Sequence, residues 1–307
     1  MPGIILKLHI EHDIIRDCFA QFNYPNVNAV LLNQDAATVN KRLNLIYKQC
    51  GQAHNSAFFH TQGISANQAQ QQAQNQALAL ERMLEISWQL WRIFQLLFTA
   101  QPSQQALFTQ FRQQLMAYKA RLAHDIWLAN SQAVPITIDE PITTVDFKSA
   151  LFKPIIEYIH QQHWAKQLYT EQSVLQQYES GPSVRMQQIT PTIVDRIQAM
   201  WQELVDAQID VIQPQHYHSN QRFDGTVDAA RGQLSHHVTW HNSAVKQYTI
   251  QVPTSGIVDS LSRSLLGINL KQLADYPLAL SVWILTHFPC MEVSIEFDST
   301  NSDKGNE

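Results

Sequence analysis

Three thiols stand in the 307-residue chain, and two of them lie in the short segments Cys50-Gly51-Gln52-Ala53 and Phe288-Pro289-Cys290. A thiolate is a soft donor, and two convergent thiolates can hold one soft metal centre. The competing reading is that both are small buried apolar side chains, a common fate of a free cysteine. Three cysteines spread over the whole chain, with no CxxC, make neither a disulfide framework nor a zinc site. Between the two segments runs Val227-Asp228-Ala229-Ala230-Arg231-Gly232-Gln233-Leu234-Ser235-His236. Arg231 carries a permanent charge and several fixed donors. On its residues alone it reads as a surface arginine paired with Asp228 or Asp224.

Histidine clusters invite further metal readings: His216 with His218, His236 with His237 and His241, and Glu157 with His160 and His163. Neighbours on a strand point to opposite faces, so His236 and His237 cannot chelate together. Glu157 and His160 share a helix face, but a di-iron bundle needs matching carboxylates on other helices. Each histidine is therefore read as structural or solvated. No P-loop, dinucleotide fingerprint or G-x-S-x-G elbow is present.

The elements that must position these residues are mainly helical. Glycine is scarce, 9 in 307, while Gln, Leu and Ala abound, which favours helices over turn-rich β architecture. Net charge is −5, without the basic footprint of a nucleic-acid binder. No apolar run approaches the roughly 18 residues of a membrane span. The start MPGIILKLHIEH lacks a signal-peptide pattern, so a cytoplasmic protein is expected.

Ile4–Ile10 and Ile14–Phe22 read as a hairpin around Glu11-His12-Asp13 within a β-rich start, residues 1–34. A helical core follows over residues 35–212. Its opening pattern is Val39, Leu43, Ile46 and Tyr47, and a helix resumes over Ala53–Phe59. The Ala/Gln stretch Ala66–Leu80 predicts a solvated helix. It leads into a core helix whose apolar face holds Leu80, Leu84, Trp91 and Phe94, with Glu81, Glu85, Gln89 and Arg92 on another face. Ser103 is placed to cap the next helix. Helical patterning covers Asp146–Glu171, and Thr190-Pro191 reads as N-cap and first helical residue. Over residues 221–298 a hairpin (Leu234–Trp240, Val245–Val252), helices Asp259–Ala274 and Leu278–His287, and an alternating strand Met291–Phe297 are expected. The tail 299–307 reads as disordered. The fold class is α+β, mainly helical, in one domain over residues 1–298.

The order of CGxA, an Ala-Ala-Arg-Gly-x-Leu-x-His segment, a hairpin ending Val252-Pro253-Thr254, and Pro-Cys resembles the large subunit of [NiFe] hydrogenases. That family carries RxCGxC early, E-A-[AP]-R-G-x-L-x-H late and DPCxxCxxH at the end. Here Ala53 and Val293 replace the second cysteine of each pair, Glu296 the final histidine and Phe288 the aspartate. A large subunit reduced in this way resembles the HupK/HoxV-type hydrogenase expression/formation proteins.

The resemblance implies a large-subunit-like helical core in which Cys50 and Cys290 approach each other. The retained positions match the nickel-terminal cysteines, and the lost ones match the bridging pair. It implies no hydrogen turnover and no permanently bound cofactor. The expected role is non-enzymatic, with an Fe(CN)2CO precursor held transiently by Cys50 and Cys290. Arg231 would lie near its diatomic ligands, Asp228 would orient Arg231, and His54 would face the site. Expected partners are hydrogenase maturation proteins or the large-subunit precursor. Two alternatives stand beside it: a small divergent nickel/iron metalloenzyme and a metal-free interaction module.

Overall fold

Alternating burial along Gly3–Glu11 (β1) sends Ile4, Leu6 and Leu8 into the core, and Ile14–Asn23 (β2) returns antiparallel beside it. The turn between them sets His12 and Asp13 at φ 51° and 63°, the paired left-handed geometry a two-residue hairpin needs. The last strand, Val293–Asp298 (β6), adds to the other edge of β1 in parallel, with Val293 opposite Ile4. Both ends of the protein thus enter one sheet, and Cys290 is drawn towards the segment that follows β2. The computed structural model describes residues 3–23, 27–122, 125–129, 131–140, 142, 144–214 and 225–298. His216, His218, Asp224 and the tail 299–307 lie outside the described residues.

Helices α1 (Ala36–Ile46) and α2 (Gly51–His60) follow β2, and Asp35 caps α1 by accepting from the Thr38 N–H. The axis of the molecule is α3 (Gln68–Leu97), flanked by α4 (Pro102–Arg121) and α9 (Ile193–Ile212). Contrary to the solvated helix expected over Ala66–Leu80, Gln70, Gln74, Asn75 and Gln76 of α3 are buried, while Gln68 and Gln71 stay exposed. Gln70 donates to the carbonyls of Ile126 and Leu128, each at 2.9 Å, and Gln74 to Ile126 at 2.7 Å. Gln76 donates to Ile136 and Val211 and accepts from the Ile136 N–H. Residues 125–129 and 131–138 pass over α3 without forming a sheet or helix, and these amides satisfy backbone groups that would otherwise be buried unpaired.

Between α4 and α9 the chain passes through α5 (Val145–Phe147), a π turn and α6 (Lys153–Gln161), then α7 (Gln172–Tyr178) and α8 (Pro182–Arg185). The helical patterning expected over Asp146–Glu171, with Pro154 as a kink or restart, is interrupted at His163, which sits at φ 57°. Two caps also differ from expectation. Gln101 caps α4 in a reciprocal bond with Gln104, leaving Ser103 inside the first turn. Thr192, exchanging bonds with Asp195, caps α9 in place of Thr190.

The last third forms an antiparallel sheet of β3 (Thr226–Ala229), β4 (Gly232–His241) and β5 (Ala244–Gln251). Helices α10 (Thr254–Leu265) and α11 (Tyr276–Thr286) follow. The expected helix Asp259–Ala274 begins earlier and stops at Leu265, before Gly267 turns the chain at φ 82°. Among the described residues no helix is long and apolar enough to cross a membrane.

Candidate functional site

Cys50 occupies the N-cap of α2 without capping it. The acceptor for the first N–H groups comes from α3: Glu81 takes those of Gln52 (2.7 Å) and Ala53 (2.9 Å), with Lys119 3.7 Å from its carboxylate. A carboxylate at a helix N-terminus complements the dipole, and this one also fixes the backbone that carries Cys50. Removing it (Glu81→Ala) should cost about 2–4 kcal/mol through two stranded N–H donors. It should also speed iodoacetamide alkylation of Cys50 several-fold relative to Cys18, read by peptide mass spectrometry.

Cys290 follows the end of α11, where Phe288 reverses the chain at φ 60°. Its Sγ lies 2.7 Å from Thr254 Oγ1 in the first turn of α10. Arg231 stands on the turn from β3 to β4, and the backbone just before it is clamped. Arg185, locked to Glu203, donates to the carbonyls of Ala230 (2.9 Å), Ala229 (3.3 Å) and Ser180 (3.0 Å). Gly232 follows at φ 143°, where a Cβ would lie 2.6 Å from Ser180 Oγ, so no other residue fits this turn.

Cys50, Arg231, Thr254 and Cys290 line one cleft of about 700 Å³, bordered also by Tyr47 and Gln49. Cys50 and Cys290, separated by most of the chain, border the same cleft as the Arg231 guanidinium. Arg231 pairs with Glu85 of α3 through Nη1, donates to Gln49 at 3.3 Å through Nη2, and lies 4.8 Å over the ring of Phe288. The carboxylate beside Arg231 comes from α3, and the aromatic face of Phe288 adds a cation–π contact. The Nε of Arg231 is buried with no partner among the described residues.

Burial dominates the protonation of the site. It pushes the Cys50 thiol well up, helped by Glu85 and opposed by Arg231, so the thiol is protonated at neutral pH. Burial likewise pushes the Glu85 carboxyl up to about 7 against the pull of Arg231. It pulls the Arg231 guanidinium down, but Glu85 overcomes that and holds it above its ordinary value.

Two expectations need correction. Asp228 does not orient Arg231: the ion pair goes to Glu85, and Asp228 is met through its backbone carbonyl by Arg82. His54 does not line the cleft. It lies one turn beyond Cys50, stacked on Tyr47 at 3.5 Å, with Nδ1 2.9 Å from His236 Nε2, whose Nδ1 meets the Tyr248 hydroxyl at 2.8 Å. His236 is buried and His237 exposed, as strand alternation requires, and Glu157, His160 and His163 are all exposed. Among the described residues no group of three or more His, Cys, Asp or Glu converges to hold a metal ion. Sequence reasoning missed Glu81 and Glu85 as site residues. Their four-residue spacing, which sets both carboxylates on one face of α3, was the available signal.

No protein-family profile and no curated protein sequence matches the chain. Solved structures do. The reduced [NiFeSe] hydrogenase of Desulfovibrio vulgaris Hildenborough aligns with a TM-score of 0.67 at 12% identity, over 92% of this chain and 94% of that one. The reduced, active [NiFeSe] hydrogenase of Desulfomicrobium baculatum aligns at 0.56 and 12%, over 92% and 95%. At such identity the likeness concerns the fold, and by fold this is a hydrogenase large-subunit-like protein.

Proposed function

We propose that the protein is a non-catalytic accessory factor of [NiFe] hydrogenase maturation, of the HupK/HoxV type, that holds the Fe(CN)2CO precursor transiently in the Cys50–Arg231–Cys290 cleft. The observation that carries this reading is that one thiol from each segment and a buried guanidinium line one cleft, while by the resemblance Ala53 and Val293 stand where a four-thiolate site needs sulfur. A bimetallic site needs shared sulfurs to fix the metal separation, and two thiols do not supply them. They suffice for a single soft centre that brings its own carbon ligands. The unpartnered Nε of Arg231 is a donor left over for an anionic ligand of that cargo. Because the Cys50 thiol is held protonated, loading displaces a proton and strengthens as pH rises. Maturation proteins that deliver the precursor and the large-subunit precursor that receives it are the partners, in the cytoplasm.

The test is anaerobic purification from the hydrogenase-producing host, with infrared spectroscopy for cyanide and carbonyl bands and metal analysis. Substoichiometric iron with those bands is expected in the wild type. Loss of both bands and at least a tenfold drop in host hydrogenase activity is expected in Cys50→Ser and Cys290→Ser. Stoichiometric nickel would replace this reading with a divergent metalloenzyme. Full host activity in the double-serine variant would leave only an interaction module.

A further inference from the structure

A second cleft, about 690 Å³, opens between the loop before α2 and helices α3 and α4, and it shares Lys48 and Gln49 with the border of the first. We propose that it is a binding site for a small organic anion with a flat apolar body, the aryl carboxylate or aryl sulfonate class. This inference is independent of metal loading in the cysteine cleft.

The charge balance of the lining carries it. Glu85 is neutralised by Arg231, and Lys119 lies against Glu81. That leaves Lys48 and Arg112, neither of which has a carboxylate within 4.0 Å among the described residues. Arg112 is half-buried and held in place: Nη1 donates to the Leu84 carbonyl at 2.5 Å, and the guanidinium lies 5.5 Å over Trp88 and 5.6 Å over Phe108. A half-buried, immobilised cation without a counter-charge costs desolvation that an incoming anion offsets. Burial already draws its proton affinity below the ordinary arginine value.

The rest of the wall is apolar. Trp88 and Met116 remain 38% and 58% exposed, large values for such side chains, and Leu122, Ile126 and Trp127 complete the surface. The Trp127 indole is fixed by donating to Gln52 Oε1 at 2.7 Å. A free phosphate would gain nothing from this wall, and a neutral hydrocarbon would leave Arg112 unpaired. A molecule with two or three rings and one acidic group meets both, and the volume falls within the range of sites for such ligands.

The probe is 1-anilinonaphthalene-8-sulfonate, titrated by fluorescence into metal-free full-length protein, with N-phenyl-1-naphthylamine as the counterpart lacking the sulfonate. Saturable 1:1 binding of the sulfonate is expected, displaced by 2-naphthoate. Arg112→Gln should weaken the sulfonate at least tenfold and leave the naphthylamine within twofold. Arg112 also ties α4 to α3, so the exposed Lys48→Gln and Met116→Glu variants carry the same test without touching the core. Each should weaken the sulfonate threefold or more. Unchanged sulfonate affinity in all three variants, or equal wild-type affinity for both probes, overturns the proposal.

Discussion

Replacing Glu85 by leucine should destabilise the protein by about 3–5 kcal/mol, because it leaves the Arg231 guanidinium buried without a counter-charge. The pair is nearly solvent-free, with side chains 7% and 3% exposed, so water cannot replace the lost carboxylate. Gln49 and the Phe288 ring remain as partners of Arg231 but carry no negative charge. The reverse variant, Arg231→Met, should behave differently. A guanidinium cannot shed its proton, whereas a stranded carboxyl escapes its burial penalty by taking one up. Without Arg231, the Glu85 carboxyl rises beyond the value of about 7 it has in the wild type. A folded-state pKa raised in this way gives stability that is present below pH 4.5 and lost as pH rises through the new value. Arg231→Met should therefore lie close to the Glu85→Leu/Arg231→Met double variant at pH 5 and fall increasingly below it at pH 8. Glu85→Leu should show no such trend against the double variant, and the double variant should recover most of its loss. Urea titrations at both pH values decide this, and strictly additive single costs would mean the two groups are not coupled.

That pair was invisible in the sequence for a physical reason. Periodicity on α3 separates an apolar stripe from a stripe holding Glu81, Glu85, Gln89 and Arg92, and a polar stripe ordinarily faces water. Here α3 is enclosed, so Glu81, Glu85 and Gln89 are buried and bound to α2, Arg231 and the Leu285 carbonyl. Polarity along a helix says which residues share a face, but not whether another part of the chain will cover it. The hairpins β1–β2 and β4–β5 were legible because alternation and turn chemistry are local signals. The four-residue β3, pairing Thr226 with Ser235, is too short to carry a period, and it went unseen. The placement of Cys50 and Cys290 on one cleft came from family resemblance, not from spacing. Its structural cause is the parallel addition of β6 to β1, a contact between the two ends of the chain that no local pattern encodes.

Acid should unfold the protein through its buried histidines. Burial holds His236 and His287 down to about 3, and His54 well below its ordinary value of 6.5. The native state refuses protons that the unfolded chain accepts, so this stability is present above pH 6.5 and is lost as pH falls. At pH 5 the solution is about 1.5 units below the free histidine value of 6.5, while the buried groups with values of about 3 stay neutral. At about 1.4 kcal/mol per unit that is roughly 2 kcal/mol for each of His236 and His287, or about 4 for the two, and His54 adds in the same sense. Glu85, raised to about 7, and Glu81, also raised by burial, act in the opposite sense between pH 7 and 4.5. Their contribution saturates below 4.5, where Glu179, whose carboxyl burial pushes up but Arg196 holds below its ordinary value, adds its loss to that of the histidines, so the loss steepens there. His287 offers the sharpest test. Its Nε2 has no partner among the described residues, and its Nδ1 donates to the Trp283 carbonyl, which Thr286 also satisfies. Phenylalanine keeps the edge contact with the Trp283 ring and surrenders one redundant hydrogen bond. His287→Phe should cost no more than about 1 kcal/mol at pH 7 and exceed the wild type at pH 4.5. The unfolding free energy should fall with about one proton less per molecule across that interval. Parallel pH profiles for the two proteins would mean that His287 is already protonated in the native state, and that burial does not control its charge.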